Sequence, residues 1–184
     1  MRTSPLLCLL LVAACSSPIK ENYYTLSGPQ SPAPAGNAAS ISVFVGPVTV
    51  PEAVDRLAMV LRTSPNQVEI SDSHLWAEPL KSAIPRALAE TLMRELGTPN
   101  VRATRAGATP DVDYRVTVEV QRFDSSTQSG ATLDALWSVA GKGKSRTGRS
   151  TYTEPAADPA GLAAAHSRAL ERLGRDIAAA IKGV

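Results

Sequence analysis

Two cysteines, Cys8 and Cys15, are the strongest nucleophiles of this 184-residue chain, and only the second has neighbours that suit chemical modification. It follows an apolar run from Leu6 to Ala14 that ends in two small residues, Ala13 and Ala14. A thiol is a soft nucleophile, and small residues before it fit the narrow groove of a peptidase. The run has the length of a signal-peptide core and is too short to span a bilayer as a helix. The pattern predicts cleavage before Cys15 and covalent modification of its thiol.

The order Val12-Ala13-Ala14-Cys15 resembles the lipobox of bacterial lipoproteins, in which the thiol receives a diacylglyceryl group and the new amino group is acylated. Cys8 is a poorer candidate because the bulky Leu7 precedes it. The alternative is an ordinary secretory signal, cleaved at the same place, that leaves the thiol of Cys15 free. We expect residues 1–14 to be a lipoprotein signal peptide. Cys15 is then the lipidation site, with the lipid (acyl chains such as palmitate) as its covalent group and no other cofactor.

Side chains that support catalysis elsewhere form no recognisable constellation in this sequence. It contains no GxSxG, HExxH or P-loop motif and no glycine-rich nucleotide fingerprint. His74 and His166 are far apart and make a weak case for zinc, and we interpret His166 beside Ser167 as a satisfied, partly buried histidine. Asp111 and Asp113 precede a predicted strand and are expected to cap or solvate it. We therefore predict no catalytic residue and no metal site.

Composition favours one exported domain. The formal net charge of +2 is too small to indicate a nucleic-acid partner. Removing residues 1–14 leaves 170 residues (184 minus 14), which is enough for one domain with a sizeable core. That mature part contains Cys15 as its only cysteine, so it has no internal disulfide and its stability must come from core packing.

Residues 16–40 are rich in proline, glycine and small polar residues, which is typical of a tether. Together with Cys15 they form the predicted linker 15–40, and residues 41–184 are predicted as a single folded domain. Fully extended, the linker would reach roughly 80 Å at about 3.3 Å per residue. Tyr23-Tyr24-Thr25-Leu26 interrupts it with apolar side chains that are costly to leave in water, so we expect a short strand or a docking arm there.

Alternation of apolar and polar residues predicts an antiparallel or mixed sheet. The segments that follow this pattern are 41–45, 57–61, 67–70, 113–123, 131–139 and 149–153. The turn residues Ser64-Pro65-Asn66 make the second and third segments a hairpin. Glu119 and Asp134 are expected on solvent-exposed strand faces, whereas Leu133 and Trp137 are expected between the sheet and a helix.

Leucine and isoleucine at three- and four-residue spacing predict two amphipathic helices. The first is expected over His74–Leu96, with His74 as a capping or solvent residue and Pro85 either kinking the helix or marking its true start. The second follows Asp158-Pro159 and continues to residue 181. Two such helices and a sheet with one apolar face predict an α+β fold, a two-layer sandwich with both helices on one face of the sheet.

Three residues are candidates for a partner interface. Val48 and Val50 lie between two prolines, and because proline cannot donate to a ladder we predict an edge or bent strand where another strand or subunit could add. Trp76 stands near a proline at the predicted helix start. We favour a position in the core for this residue over a position at an interface. The basic turn Lys142–Arg146 is interpreted as a solvated turn, with contact to lipid headgroups as the alternative.

Taken in order, these segments resemble the PqiC-type lipoproteins, also called auxiliary lipoproteins of ABC-type transport systems. The resemblance covers the lipobox and nearly all of the mature chain. Its pieces are Tyr23-Tyr24-Thr25-Leu26, Val48-Thr49-Val50-Pro51 with Asp55-Arg56, Val60 with Arg62 and Asn66-Gln67-Val68, Trp76-Ala77-Glu78-Pro79-Leu80, Tyr114-Arg115-Val116 with Arg122-Phe123-Asp124, and Ala164-Ala165-His166-Ser167-Arg168-Ala169-Leu170. Two positions depart from the family pattern: Leu57-Ala58 stands where Pro-Gln is expected, and Leu75 stands where an arginine usually precedes the tryptophan.

The resemblance implies a role without catalysis. Lipoproteins of this kind sit on the periplasmic face of the outer membrane. They work with an MCE-domain subunit, an inner-membrane permease and, in many systems, a cytoplasmic ATPase to move lipids between the membranes. The partners it implies are an MCE-domain transport subunit and the outer-membrane lipid that holds the acyl chains. A homo-oligomeric ring, as a collar around a lipid-conducting tube, would add further copies of this chain.

Two other observations belong with this interpretation. Ser16 follows the predicted acylated cysteine in place of an aspartate, which agrees with outer-membrane sorting in enterobacterial lipoproteins. The alternatives to a transport role are an outer-membrane assembly lipoprotein resembling the lipopolysaccharide-transport plug and, behind it, a periplasmic hydrolase.

Overall fold

The computed structural model of the chain describes residues 20–29, 41–103 and 111–184. The described residues form eight strands and two helices. In chain order these are β1 (Asn22–Tyr24), β2 (Val43–Thr49), β3 (Ala58–Ser64), β4 (Gln67–Trp76), α1 (Leu80–Leu96), β5 (Val101–Ala103), β6 (Tyr114–Ser126), β7 (Gly130–Gly141), β8 (Lys144–Glu154) and α2 (Pro159–Lys182). The fold is the α+β class that the sequence predicts, with a mixed sheet and two main helices.

Strand β6 is the centre of the sheet. One of its edges pairs antiparallel with β7 from Tyr114 to Ser126, and β7 pairs antiparallel with β8. Its other edge is shared, since the first half pairs in parallel with β2 and Ser125 near its end pairs with Leu61 of β3. Strand β5 lies outside β2, while β4 and then β1 lie outside β3. The sheet therefore divides beyond β6 into two branches.

Both helices pack on the same side of this sheet, α1 against β2 and β5, and α2 against β6, β7 and β8. The α2 residues that face the sheet are fully or almost fully buried: Leu162, Leu170, Leu173, Ile177 and Ile181. The two helices approach closely where Gly174 of α2 meets Thr91, since a Cβ at Gly174 would lie 2.6 Å from the Thr91 Cγ2 atom. The predicted helix cap at Asp158 is confirmed, because its carboxylate accepts a hydrogen bond from the Gly161 amide at 2.8 Å.

The predicted start of the first helix is wrong. Strand β4 continues through His74 to Trp76, and α1 begins at Leu80, directly after Pro79. Pairing on both sides explains the strand, because β3 and β1 each hydrogen-bond to this part of β4. Pro85 lies inside α1 and does not mark its start.

The segment that interrupts the predicted tether is docked on the domain. β1 pairs in parallel with β4, and the side chain of Leu26 is completely buried. The backbone around Leu26 is bound by side chains of α1: Arg86 donates to the Leu26 carbonyl at 2.7 Å, and Glu90 accepts from the Gly28 amide at 2.7 Å. The prediction of a docking arm is confirmed. We call residues 22–28 the docked arm, and they belong to the folded unit although they lie before residue 41.

One buried carboxylate contradicts the expected pattern of strand faces. Asp134 was expected on a solvent-exposed face but is only 4% exposed. Arg149 of β8 covers it and donates two hydrogen bonds to its oxygens at 2.9 and 2.6 Å, and Thr151 donates a third. The hydrogen bonds from Arg149 hold the pKa of Asp134 below its usual value. The carboxylate of Asp134 can therefore stay charged although it is buried, because the Arg149 guanidinium on the neighbouring strand pairs with it.

Leu133 is completely buried, as expected, but Trp137 is only partly buried. Its indole Nε1 donates to the Ser150 hydroxyl at 3.0 Å, and Ser150 in turn donates to Asp176 of α2. Gly148 lies opposite Trp137, and a Cβ there would fall 2.2 Å from the indole ring. Trp137 therefore lies at the margin of the core, in contact with β8.

Candidate functional site

Cys15, the predicted lipidation site, lies outside the described residues. The described chain nearest to it is the docked arm, whose first strand residue, Asn22, pairs with His74 of β4. His74 was expected to cap a helix or face solvent, but its Nδ1 atom lies 2.8 Å from the Tyr24 hydroxyl and the two rings stack. This contact fixes the arm to β4, and the sequence held no signal for it because the partners are 50 residues apart.

The edge near Val48 and Val50 is partly open. β5 pairs with β2 only at residues 43–45, so within the described chain Val48 and Thr49 pair on one side alone, with β6. A cis Gly46-Pro47 peptide lies where the register of β2 against β6 shifts. Val48 itself is buried in the core and Val50 is half-buried. Any strand added here would meet the backbone of this edge and only part of these side chains.

Trp76 occupies the core position that we placed ahead of an interface position. Its ring is 3% exposed and makes edge contacts with Phe123 and with His166. Phe123 and His166 stack on each other with ring centroids 3.7 Å apart. The tryptophan therefore joins β4, β6 and α2 and presents almost no side-chain surface to a partner.

His166 forms a buried hydrogen bond with Ser125 but not a catalytic pair. Its Nε2 atom lies 2.9 Å from the Ser125 hydroxyl, whereas its Nδ1 atom has no partner among the described residues. Burial lowers the pKa of His166 to about 3, so the ring is neutral at physiological pH. A nucleophile needs access to substrate, and its base needs an orienting group on the other ring nitrogen. His166 meets neither requirement, because it is completely buried and its Nδ1 atom has no partner among the described residues.

The other polar candidates have local structural partners. Asp113 accepts hydrogen bonds from the amide and hydroxyl of Ser42, which lower its pKa and fasten β2 to β6, so the expected capping role is confirmed. The predicted basic turn Lys142–Arg146 is a turn only at Lys142 and Gly143, because Lys144 already begins β8 and pairs with Gly141. Lys142 lies over the Tyr114 ring, and Lys144 donates to the carbonyl of Val184. Within the described ranges no cluster of three His, Cys, Asp or Glu side chains is placed to hold a metal ion. None of the described helices is long and apolar enough to cross a membrane.

The exposed face of the sheet offers a shallow apolar surface. A depression of about 610 Å³ lies where β2, β6, β7 and β8 meet on the side away from the helices. Its lining includes Pro47, Thr49, Glu119, Leu136, Ser138 and Thr147. An open surface of this kind suits contact with a macromolecule better than enclosure of a small substrate.

Comparison with known proteins decides the family. Residues 24–178 match the family model described as "ABC-type transport auxiliary lipoprotein component". The chain belongs to this family. It is 31% identical over 133 residues to the intermembrane transport lipoprotein PqiC of Escherichia coli (strain K12), covering 70% of this chain and 68% of that protein. A PqiC from Shigella flexneri matches with the same identity and coverage.

Solved structures support the fold of this auxiliary lipoprotein. The crystal structure of an uncharacterized protein superposes with a TM-score of 0.68 at 19% identity, covering 88% of this chain and 99% of that one. Protein XCC0632 from Xanthomonas campestris gives a TM-score of 0.65 at 20% identity, with 85% and 92% covered. At these identities the likeness establishes the shared fold alone.

Several segments that carry the family resemblance meet in one region of this auxiliary lipoprotein. The Tyr24 carbonyl accepts a hydrogen bond from the Ala77 amide at 2.8 Å, so the docked arm contacts the segment that begins at Trp76. Arg62 of β3 donates to Asp124 of β6 at 2.9 Å, and Arg122 pairs with the same carboxylate. Burial opposes ionisation of Asp124, but these two cations hold its pKa below its usual value. Backbone and side-chain contacts between residues that are distant in sequence thus join the arm, the hairpin and the centre of the sheet.

Proposed function

We propose that this protein is an outer-membrane lipoprotein, anchored by lipid on Cys15 at the periplasmic face. In this proposal it serves as an accessory docking subunit of an MCE-type system for intermembrane lipid transport and supports envelope integrity. One observation carries the proposal: the transport auxiliary family model covers residues 24–178, from the docked arm to most of α2. The proposal thus applies to the folded unit as a whole and not to a fragment of it.

The arrangement of surfaces supports docking. One face of the sheet is covered by both helices, and its buried side chains form one main core with a small second cluster of Ala131, Leu162 and Ala165. The opposite face carries the shallow depression around Leu136 and is exposed. A rigid domain with one open sheet face and an anchor at its N-terminal side is suited to holding a partner close to a membrane. Transfer of lipid would then occur through the assembled system, with this chain as a positioning subunit.

An MCE-domain subunit is the proposed partner, and a ring of copies around it is the proposed assembly. Among the described residues, β2 has no partner strand on one side at Val48 and Thr49, and this supports a contact between copies because an open strand edge can accept another strand. A head-to-tail contact whose rotation closes would produce a ring.

Purification of the native lipoprotein tests the partner. The full chain, extracted in mild detergent from its own membranes, should retain an MCE-domain subunit and should fractionate with the outer membrane. The matched control is Cys15→Ser, which keeps the domain intact and should leave the outer-membrane fraction. Recovery of a β-barrel assembly protein in place of an MCE subunit would contradict the proposal, as would an unmodified thiol on the mature N-terminus by mass spectrometry.

Light scattering tests the ring. A soluble form of the chain that lacks residues 1–15 should show a mass above that of a monomer as its concentration rises. Val50→Lys should lower that mass because a charge would then lie at the open edge. A monomer at every concentration, with no binding to the MCE subunit, would rule out the collar.

A further inference from the structure

Exposed apolar side chains are concentrated on one branch of the sheet. Among the described residues, five large apolar side chains are at least 40% exposed. Four of them, Tyr23, Leu57, Val68 and Ile70, lie on or beside the branch formed by β1, β4 and β3, and the fifth, Leu136, lies on β7. A scattered apolar residue needs no explanation, but a group on one branch indicates a contact surface.

Strand register places most of this group on one face. Partners directly across two strands lie on the same face of a sheet. Tyr23 pairs with Leu75, Leu75 pairs with Ala58, Val60 pairs with Ile70, and Arg62 pairs with Val68. Ala58, Val60 and Arg62 alternate along β3, so all these rows share one face. We call the exposed or half-exposed apolar members the outer strip: Tyr23, Ala58, Val68, Ile70 and Leu75.

The outer strip lies on the side away from the helices. Met59 on β3 and Trp76, the neighbour of Leu75 on β4, are in the core. The register shifts between the Ala58–Leu75 and Val60–Ile70 pairs, so Leu75 and Ile70 share a face although they lie an odd number of positions apart on β4. The end of the β3–β4 hairpin projects from the body, since every residue from 63 to 70 is exposed. Arg62, the cation beside the strip, is held by Asp124 and also donates to the Pro65 carbonyl at 3.0 Å. The strip therefore combines a projecting apolar surface with a neighbouring charge that is already paired.

The path of the chain brings this surface close to residue 15. Only seven residue steps separate Cys15 from Asn22 (22 minus 15), and seven residues span at most about 25 Å in any conformation. β1 runs parallel to β4, with Asn22 opposite His74, so the N-terminal side of β1 faces the part of β4 that precedes His74. Val68 and Ile70 lie in that part, on the way to the hairpin tip.

We propose that the outer strip faces the bilayer that holds the Cys15 lipid and inserts its apolar side chains, with the hairpin tip, at the boundary between headgroups and acyl chains. This inference rests on the proposed lipid anchor. The few apolar side chains of the outer strip bind a membrane weakly on their own, but a short tether makes the contact intramolecular and raises the effective concentration of the surface. The contact would fix the orientation of the domain on the membrane.

This orientation also assigns a direction to the basic turn. The β3–β4 tip lies beside the end of β6 at Ser126, whereas the basic turn lies beside its start at Tyr114. The 13 residues of β6 put about 40 Å between these two ends at about 3.3 Å per residue. The cations of the basic turn then point into the periplasm, towards a partner and away from lipid headgroups.

The test uses the full lipidated chain in vesicles of phosphatidylethanolamine and phosphatidylglycerol. With Cys15 blocked by its lipid, Ile70→Cys or Val68→Cys provides one free thiol for a polarity-sensitive fluorophore. The matched control is Leu136→Cys, which is also exposed but lies on β7, level with the middle of β6. We expect brominated lipid to quench the labels at Ile70 and Val68 several-fold more than the label at Leu136. Thermal midpoints of the three variants should match.

The outcomes separate this inference from the proposed anchor. Mass spectrometry of the N-terminus and flotation with the vesicles report the anchor. A chain without lipid overturns the anchor and this inference together. A lipidated, floating chain whose labels at Ile70 and Val68 stay in water overturns this inference alone. Shielding that occurs only in crowded vesicles and without quenching by brominated lipid would assign the strip to contact between copies, and would also overturn it.

Discussion

Two edge strands, β1 and β8, are held to the molecule in different ways. β1 has three residues and one parallel neighbour, and the rest of the docked arm is held by the buried Leu26 side chain and by hydrogen bonds with α1. β8 has eleven residues, each paired with β7, and its side chains bind α2 through polar groups. The attachment of β1 depends on a few long-range contacts, whereas that of β8 is spread along a ladder. Single substitutions should therefore have larger effects at β1.

The largest effect is expected for Leu26→Ala. Leu26 is completely buried between the arm and the core, so its truncation should lower the free energy of unfolding by about 2–5 kcal/mol. Urea unfolding of the folded unit without residues 1–15 measures this. Tyr23→Ala is the control on the same arm, because Tyr23 is 59% exposed and its truncation should change stability by less than about 0.5 kcal/mol. Equal midpoints for the two variants would show that the arm is not part of the cooperative unit.

Acid should weaken the core on the β1 side. His166, which contacts Trp76 of β4, has its pKa lowered to about 3 by burial, although the Asp124 carboxylate opposes this. An unfolded histidine binds a proton below about pH 6.5, so stability is full above that pH and falls as the pH drops towards 3. The loss between pH 7.5 and pH 5 should be about 2 kcal/mol from this group.

The variant His166→Gln sharpens that test. It keeps an amide that can bind Ser125 but has no titrating group, so its stability should change less between pH 7.5 and pH 5 than that of the wild type. Chemical unfolding at the two pH values gives the comparison. The same pH dependence in both proteins would assign acid sensitivity to other groups.

The predictability of these regions follows from how far apart their contacts are in the sequence. The hairpin, β6, β7 and the cap of α2 follow from local alternation and from Asp158-Pro159, and they occur where expected. Trp76 was assigned to a helix start because its neighbours in sequence include Pro79, whereas pairing with β1 and β3 makes it the end of β4. The first part of β8 carries polar residues and has no apolar pattern, so only the ladder with β7 reveals it. The outer strip is likewise a product of register between distant segments.

Alkali should loosen the β8 side. Burial raises the pKa of Tyr152 to about 12, and the hydrogen bond that its hydroxyl donates to Asp176 raises it in the same direction. The neutral phenol is thus favoured by folding, so its contribution is full below about pH 10 and is lost as the pH rises towards 12. Tyr152→Phe should cost about 1–2 kcal/mol at pH 7 and should remove this alkaline dependence. Stability curves of wild type and variant that stay parallel from pH 9 to pH 11 would contradict the assignment.

The smallest effect is expected where β8 meets α2 through ion pairs. Glu154 accepts from Arg168 and Arg172, but both guanidinium groups are about half exposed and keep other contacts, the Pro155 carbonyl for Arg168 and the Tyr152 ring for Arg172. Pairs whose cations are half exposed contribute little because solvent screens the charges and the side chains lose freedom. Glu154→Gln should therefore lower the free energy of unfolding by about 0.2–1 kcal/mol. The difference should shrink in high salt, where surface charges are screened. Glu69→Gln on exposed β4 is the matched control, and it should change nothing measurable. A cost for Glu154→Gln as large as that of Leu26→Ala would mean that β8, like β1, depends on one contact.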